Sequence, residues 1–244
     1  MERDVRLEAV VTNSRPVGEM HRSVTLFSST MGLVNAVVFG GRKGRKSALA
    51  PLFSYGTFQL YYNPVNDSYS ITEESGEFTP TGIMQSLEAT YTASYFCEIC
   101  SRIGADEHRA VYDLLRRSLA VLDSSPDSHR KILIDFTWKL IQISGLATDL
   151  KTCPSCEKHY EDNETLFFST QMNTPVCRNC SDTDRLFLMP GSRKYLQFTL
   201  PMSIEQAFEV ELYESNQIRL RDFLLGWISH FAQGPLKTLQ SGLL

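Results

Sequence analysis

At 244 residues, 42% hydrophobic and 21% charged, the chain can bury one large core or two to three small ones and is too apolar to stay disordered. Its opening Met1-Glu2-Arg3-Asp4-Val5-Arg6 is charged and no apolar run nears the roughly eighteen residues of a bilayer span, which argues against export or membrane insertion. The formal net charge of −4 argues against a polyanionic partner on average, but residues 1–60 hold eight Lys/Arg against four acids, a balance of +4, leaving −8 for the rest.

Residues 5–80 read as β structure. Val5, Leu7, Ala9 and Val11 alternate, as do Val24 and Leu26, and Leu33 to Phe39 is a β-branched run closed by Gly40-Gly41. Further strands are expected over Leu52–Tyr62 and Ser68–Thr72, separated by the turn-rich Asn63-Pro64-Val65-Asn66-Asp67. Five short strands in this length fit a small closed barrel of the OB type, among other small barrels. On the fourth strand, Leu52, Phe58, Leu60 and Tyr62 suit the barrel core, and Phe53, Tyr55, Thr57, Gln59 and Tyr61 the other side.

The loop after the third strand, Gly40-Gly41-Arg42-Lys43-Gly44-Arg45-Lys46-Ser47, puts four cations on a glycine-bearing turn. A phosphate-binding P-loop would need Lys directly after its last Gly and a helix opening there; Arg45 intervenes and Pro51 leaves no room for the helix. Two readings remain, a solvated charge run and a site for a nucleic-acid backbone, since only the field within a Debye length of about 8–10 Å acts on a bound polyanion. The candidates for DNA binding are Arg42, Lys43, Arg45 and Lys46, with Arg15 and Arg22 as supporting cations. Tyr55 and Tyr61 could stack on bases or pack against helices.

From Thr79 the period changes to that of helices. Pro80 is expected in a first turn, and Met84, Leu87, Tyr91, Tyr95, Ile99 and Ile103 in one apolar stripe. A second helix is predicted after Asp106, burying Val111, Leu114, Leu115, Leu119 and Leu122, and a third from Ser125-Pro126 to Gly145 carrying Ile132, Phe136, Leu140 and Ile143. Cys97 and Cys100 fall mid-helix and read as small core residues rather than a redox pair.

Cys153-Pro154-Ser155-Cys156 and Cys177-Arg178-Asn179-Cys180, twenty residues apart, have the spacing of a zinc ribbon. Phe167-Phe168-Ser169 is a plausible strand of the returning hairpin. Four thiolates close a tetrahedral shell, so one Zn²⁺ would be structural; two disulfides or four unrelated thiols are the alternatives. His159-Tyr160-Glu161 and Pro175 to Cys180 faintly suggest a zinc deaminase, but Val176 interrupts the second half and two better ligands, Cys153 and Cys156, are at hand. Helices then return: Ser203-Ile204-Glu205-Gln206 is a capping box, and Leu220, Phe223, Leu224, Trp227 and Phe231 form a last amphipathic face before Gly234-Pro235. The chain thus reads as α+β and multidomain: an OB-type barrel over 1–80, a helical body over 81–150 and 183–244, and an inserted four-cysteine zinc module over 151–182.

This order, with the local text Gly18-Glu19, Val24-Thr25-Leu26-Phe27, Gly32-Leu33-Val34, the Gly40–Ser47 loop, Leu49-Ala50-Pro51-Leu52, Ile143-Ser144-Gly145-Leu146 and Gly234-Pro235-Leu236-Lys237-Thr238-Leu239, resembles the bacterial DNA repair and recombination mediator family RecO. The resemblance implies a non-enzymatic cytoplasmic, nucleoid-associated protein of RecF-pathway repair that binds single- and double-stranded DNA, anneals complementary strands and assists recombinase loading. It implies as partners the RecR protein and the single-stranded DNA-binding protein, whose C-terminal tail docks in an apolar pocket of the body. The alternative is a zinc-containing protein-interaction adaptor with little direct DNA binding. Salt-dependent retention on single-stranded DNA separates the two.

Overall fold

In the computed structural model, residues 3–103, 107–242 and 244 are described, Arg45 by its backbone alone. The expected start of the second helix after Asp106 falls partly outside them. Five strands, β1 (Asp4–Val17), β2 (His21–Ser28), β3 (Gly32–Val38), β4 (Tyr55–Asn63) and β5 (Ser68–Phe78), close a barrel in the order β1-β2-β3-β5-β4. All neighbours are antiparallel except β3 and β5. This is the OB-type architecture, filled by Leu7, Ala9, Val11, Val24, Leu26, Val34, Ala36, Val38, Phe58, Leu60 and Ile71. Alternation breaks at Ala9-Val10-Val11 because β1 is covered on both sides there: Val10 joins Phe27 and Phe53 in the core of the helical body.

The fourth strand begins later than its apolar run suggests. Leu52 and Phe53 precede it, Phe53 at a φ of +66° and buried, and both pack on the body rather than the barrel. Tyr62, expected in the barrel core, is half-buried and donates its hydroxyl to Asp67 at 2.8 Å. Gly56 is required where β4 crosses β5, since a Cβ there would lie 2.4 Å from the Ser75 carbonyl oxygen.

The body comprises α1 (Leu87–Arg102), α2 (His108–Ser124), α3 (His129–Ile143), α4 (Pro190–Thr199), α5 (Ile204–Glu209), α6 (Glu214–Ser229) and the short α7 (Lys237–Gln240). The first helix corrects the expected stripe. Pro80 is not in its first turn; α1 starts at Leu87, capped by Ser86, whose side chain accepts from Ala89 N. Asp123 of α2 accepts N–H bonds from Thr81 and Ile83, each at 2.8 Å, and holds that stretch out of the helix. Met84 and Leu87 are therefore exposed, and the buried face includes Ala89, Ala93, Phe96, Cys97 and Cys100 beside Tyr95 and Ile99. The apolar positions expected for α2 are buried, and Gly145 follows α3 at a φ of +69°. Every residue of α3 from Ile132 to Ile141 is buried, so this helix is the axis of the body. Its polar members are satisfied: Trp138 donates to Leu196 O at 3.0 Å and Lys139 to Thr199 O at 2.6 Å.

Between α3 and α4, β6 (Leu166–Ser169) pairs with β7 (Thr174–Val176) as the expected hairpin and also with β8 (Thr183–Leu188). Neither β8 nor α4 was expected from the sequence. The former carries exposed Asp184 and Arg185 on an edge, and the latter buries Ser192 and Arg193, so neither shows a clean apolar period. Ser203 and Gln206 form both halves of the capping box that opens α5.

Candidate nucleic-acid interface and metal centre

β3 runs into the cationic loop through Gly40 at a φ of +72°, and a short 3-10 turn covers Gly44–Ala48. The loop is tied to the β1–β2 hairpin. Arg42 donates its backbone N–H to Met20 O at 3.2 Å and its Nη1 to Gly18 O at 3.1 Å. Beneath it Arg22, half-buried, donates to Ser14 Oγ at 3.2 Å, to Ser47 O at 3.4 Å, to Ala50 O at 3.5 Å and to Leu49 O. Arg22 is thus a brace for the loop, with most of its donors turned inward.

Arg15 faces Ser23 in the β1–β2 register and is exposed, as are Arg42, Lys43 and Lys46. Among the described residues no ion pair engages Arg15, Arg22, Arg42, Lys43 or Lys46. The side chain of Arg45 lies outside the described residues. These cations gather at one end of the barrel, where the β1–β2 turn meets the end of β3.

The two tyrosines are not drawn into that cluster by any described contact. Tyr61 is half-buried beside β1, its hydroxyl accepting from Arg3 at 3.3 Å. Tyr55 stacks on Phe78 at 4.8 Å, and burial pushes its hydroxyl above the usual range. It lines a cleft of about 710 Å³ between barrel and body, together with Arg116 and Arg117 of α2 and Phe208 of α5. Arg117 pairs with Glu205 across this cleft, and Arg116 with Asp113 at 3.0 Å. Phe39, absent from the sequence-based set, is 55% exposed next to the cationic loop. A signal existed: Val34, Ala36 and Val38 point inward, so period two sends Phe39 outward.

The second centre is built by the two cysteine pairs. All four Sγ atoms lie within 4.8 Å of one another, and Cys156 Sγ is 3.7 Å from Cys177 Sγ. Four cysteines gathered this way can hold a metal ion. Each pair is folded by its own backbone: Glu157 N–H donates to Cys153 O at 2.8 Å and Cys180 N–H to Cys177 O at 3.1 Å. Burial opposes ionisation of Cys153, but N–H groups of Cys177, Cys156 and Ser155 aimed at its sulfur prevail and lower it to about 6. Burial and the adjoining thiols of Cys180, Cys156 and Cys153 push Cys177 up.

His159 does not join the four sulfurs; its Nδ1 is 3.2 Å from Thr152 Oγ1. Cys97 and Cys100 are buried in the body, and burial pushes both thiols up, as core residues require.

The module is anchored to the body by side chains of α4 and α6. Trp227 donates to Asn173 O at 3.1 Å, and Arg193 donates to Glu161 O at 2.5 Å with its guanidinium 5.7 Å from the Tyr160 ring. Phe168 of β6 is buried against Phe223, Trp227 and His230 of the body. No helix among the described residues is long and apolar enough to cross a membrane.

Comparison with known proteins agrees with this architecture. Residues 1–76 match the family model described as Recombination protein O N terminal, and residues 84–240 match Recombination protein O C terminal. The chain is similar to the DNA repair protein RecO of Clostridium novyi, 25% identical over 219 residues covering 88% of this chain and 83% of the relative. It is similar to that of Bacillus subtilis, 25% identical over 228 residues, 90% of this chain and 86% of the relative. With that of Syntrophotalea carbinolica it shares 28% identity over 178 residues, 71% of this chain and 68% of the relative. With a barrel and a helical body each matched in turn, the chain belongs to the RecO family of DNA repair proteins.

Proposed function

We propose that this protein binds single- and double-stranded DNA through the cationic rim of its barrel, anneals complementary strands and assists recombinase loading in RecF-pathway repair. The observation that carries the reading is the set of rim cations without carboxylate partners among the described residues, Arg15, Arg42, Lys43 and Lys46, in a chain whose net charge is negative. Annealing needs no covalent step. It needs two polyanions held close, and cations do this by displacing condensed counterions and lowering strand repulsion. Arg22 fits this scheme as the brace that presents the loop.

The metal fits as Zn²⁺ held by Cys153, Cys156, Cys177 and Cys180. A zinc–thiolate bond of about 2.3 Å gives a tetrahedral S···S edge of about 3.8 Å, close to the 3.7 Å between Cys156 and Cys177. With four thiolates the ion has no open position, so its role is to close the module rather than to activate a reactant. The RecR protein and the C-terminal tail of the single-stranded DNA-binding protein are the proposed protein partners, and the bacterial cytoplasm, at the nucleoid, the place of action.

The direct test is annealing of complementary oligonucleotides by the purified protein, compared with an Arg42→Ala, Lys43→Ala, Lys46→Ala variant. Accelerated annealing that the triple variant loses is the expected result. No acceleration, with no salt-dependent retention on single-stranded DNA, would leave the adaptor reading in its place.

A further inference from the structure

The outward face of β1, β2 and β3 can be read from the register. Val17 pairs with His21 and Arg15 with Ser23. Ser23 in turn pairs with Val37, so Phe39 continues β3 beside His21. At the end of this face, next to the cationic loop, lies an apolar patch: Phe39 is 55% exposed, Met20 44% and Val17 43%. The barrel core is complete without them. The Phe39 ring adds nothing to that core.

The ring is nonetheless held. Phe39 and His21 meet edge to face at 5.1 Å and 81°. His21 is fixed in turn, because its Nδ1 accepts the Gly40 N–H at 3.0 Å. The same turn leads into the cations: Arg42 donates its Nη1 to Gly18 O and its backbone N–H to Met20 O, which sets its guanidinium beside the patch, in a turn that also carries exposed Glu19. An exposed apolar surface beside cations that lack carboxylate partners among the described residues is complementary to a polyanion that offers apolar faces. The bases of a single strand do so, whereas a duplex hides them in its stack.

We propose that Phe39, positioned by His21, is the platform on which a base of a bound single strand stacks while the neighbouring cations hold its phosphates. This rests on the reading of the rim as a polyanion site and adds the determinant that separates unpaired from paired DNA. The phosphate contacts are indifferent to the base, whereas the ring is not.

The experiment compares a fluorescent oligothymidylate with an abasic oligonucleotide of equal length at fixed salt, using the full chain. Wild type is expected to prefer the oligothymidylate by roughly fivefold or more, the lower end for one stacked base. Phe39→Ala is expected to lose that preference while its salt dependence stays that of wild type. Phe39→Trp adds a direct readout: the two native tryptophans, Trp138 and Trp227, are buried, so Trp at 39 would be the exposed reporter, and its emission should be quenched by oligothymidylate and not by the abasic strand. A Phe39→Ala protein that keeps the preference, or an emission unchanged at saturation, overturns the platform while the cationic site stands. If wild type binds neither oligonucleotide, the cationic site itself is refuted and the platform with it.

Discussion

Replacing Lys43 and Lys46 together by Ala tests the cationic rim quantitatively. Both side chains are exposed and neither enters an ion pair among the described residues, so the fold should be unaffected to within about 0.5 kcal/mol. If Arg15, Arg42, Lys43 and Lys46 each neutralise one phosphate of a single strand, the log-affinity falls with log-salt at a slope of about 2.8, at roughly 0.7 per contact. Between about 50 and 200 mM salt this is a loss of about fiftyfold for wild type. Removing two contacts halves the slope, leaving a loss of about sevenfold over the same range. Fluorescence anisotropy with a labelled oligothymidylate across the salt series reads both slopes directly, and thermal unfolding confirms the fold. Equal slopes for the two proteins would show that these lysines touch no phosphate, and would remove the loop from the site.

Three further outcomes follow from the packing and the metal centre. Thiol titration of the native protein should find no reactive cysteine while the ion is bound, four after strong chelation and all six only on unfolding; four reactive thiols before chelation would exclude a closed thiolate site. Phe168→Ala should lower unfolding free energy by about 3–5 kcal/mol in denaturant titration, since the ring is fully buried and packs from β6 onto Phe223 and Trp227 of the body. A loss below about 1 kcal/mol would mean that the sheet is not seated on α6. The third outcome concerns pH. Burial holds the Lys139 ammonium down to about 8, against an ordinary 10.5, with Asp135 opposing the shift. Between these values the unfolded chain binds the extra proton, so this residue makes stability rise with pH from about 8 to 10.5. Lys139→Met should flatten that rise, and parallel stability–pH curves for the two proteins would contradict it.

The metal module and the body are one mechanical unit. Phe168 faces the body core from the sheet that the cysteine pairs flank, and Trp227 reaches back to Asn173. An ion closed in by the four sulfurs would therefore order the edge of the body as well as a loop-rich excursion. Barrel and body are also joined: Arg109 of α2 pairs with Glu8 of β1 at 2.8 Å, and His108 meets Phe27 edge to face. The rim cations are at the far end of the hairpin from these contacts, which leaves them open to a ligand.

The features legible in the amino-acid chain are local in origin. Two residues between cysteines are enough to aim both sulfurs at one point, a period of two marks the barrel strands, and Ser203 with Gln206 announces a helix start, because each depends only on residues a few positions apart. The tertiary structure decided what depends on distant partners. Asp123 delays α1 and leaves Met84 and Leu87 in solvent; pairing with β6 makes a strand of the charged Thr183–Leu188; and packing on Phe78 holds Tyr55 at the barrel–body boundary. The rim is divided in the same way: four cations within five residues are visible in the chain, but the turning of Arg22 inward beneath them and the meeting of His21 with Phe39 follow from the register of strands whose pairing no local pattern encodes.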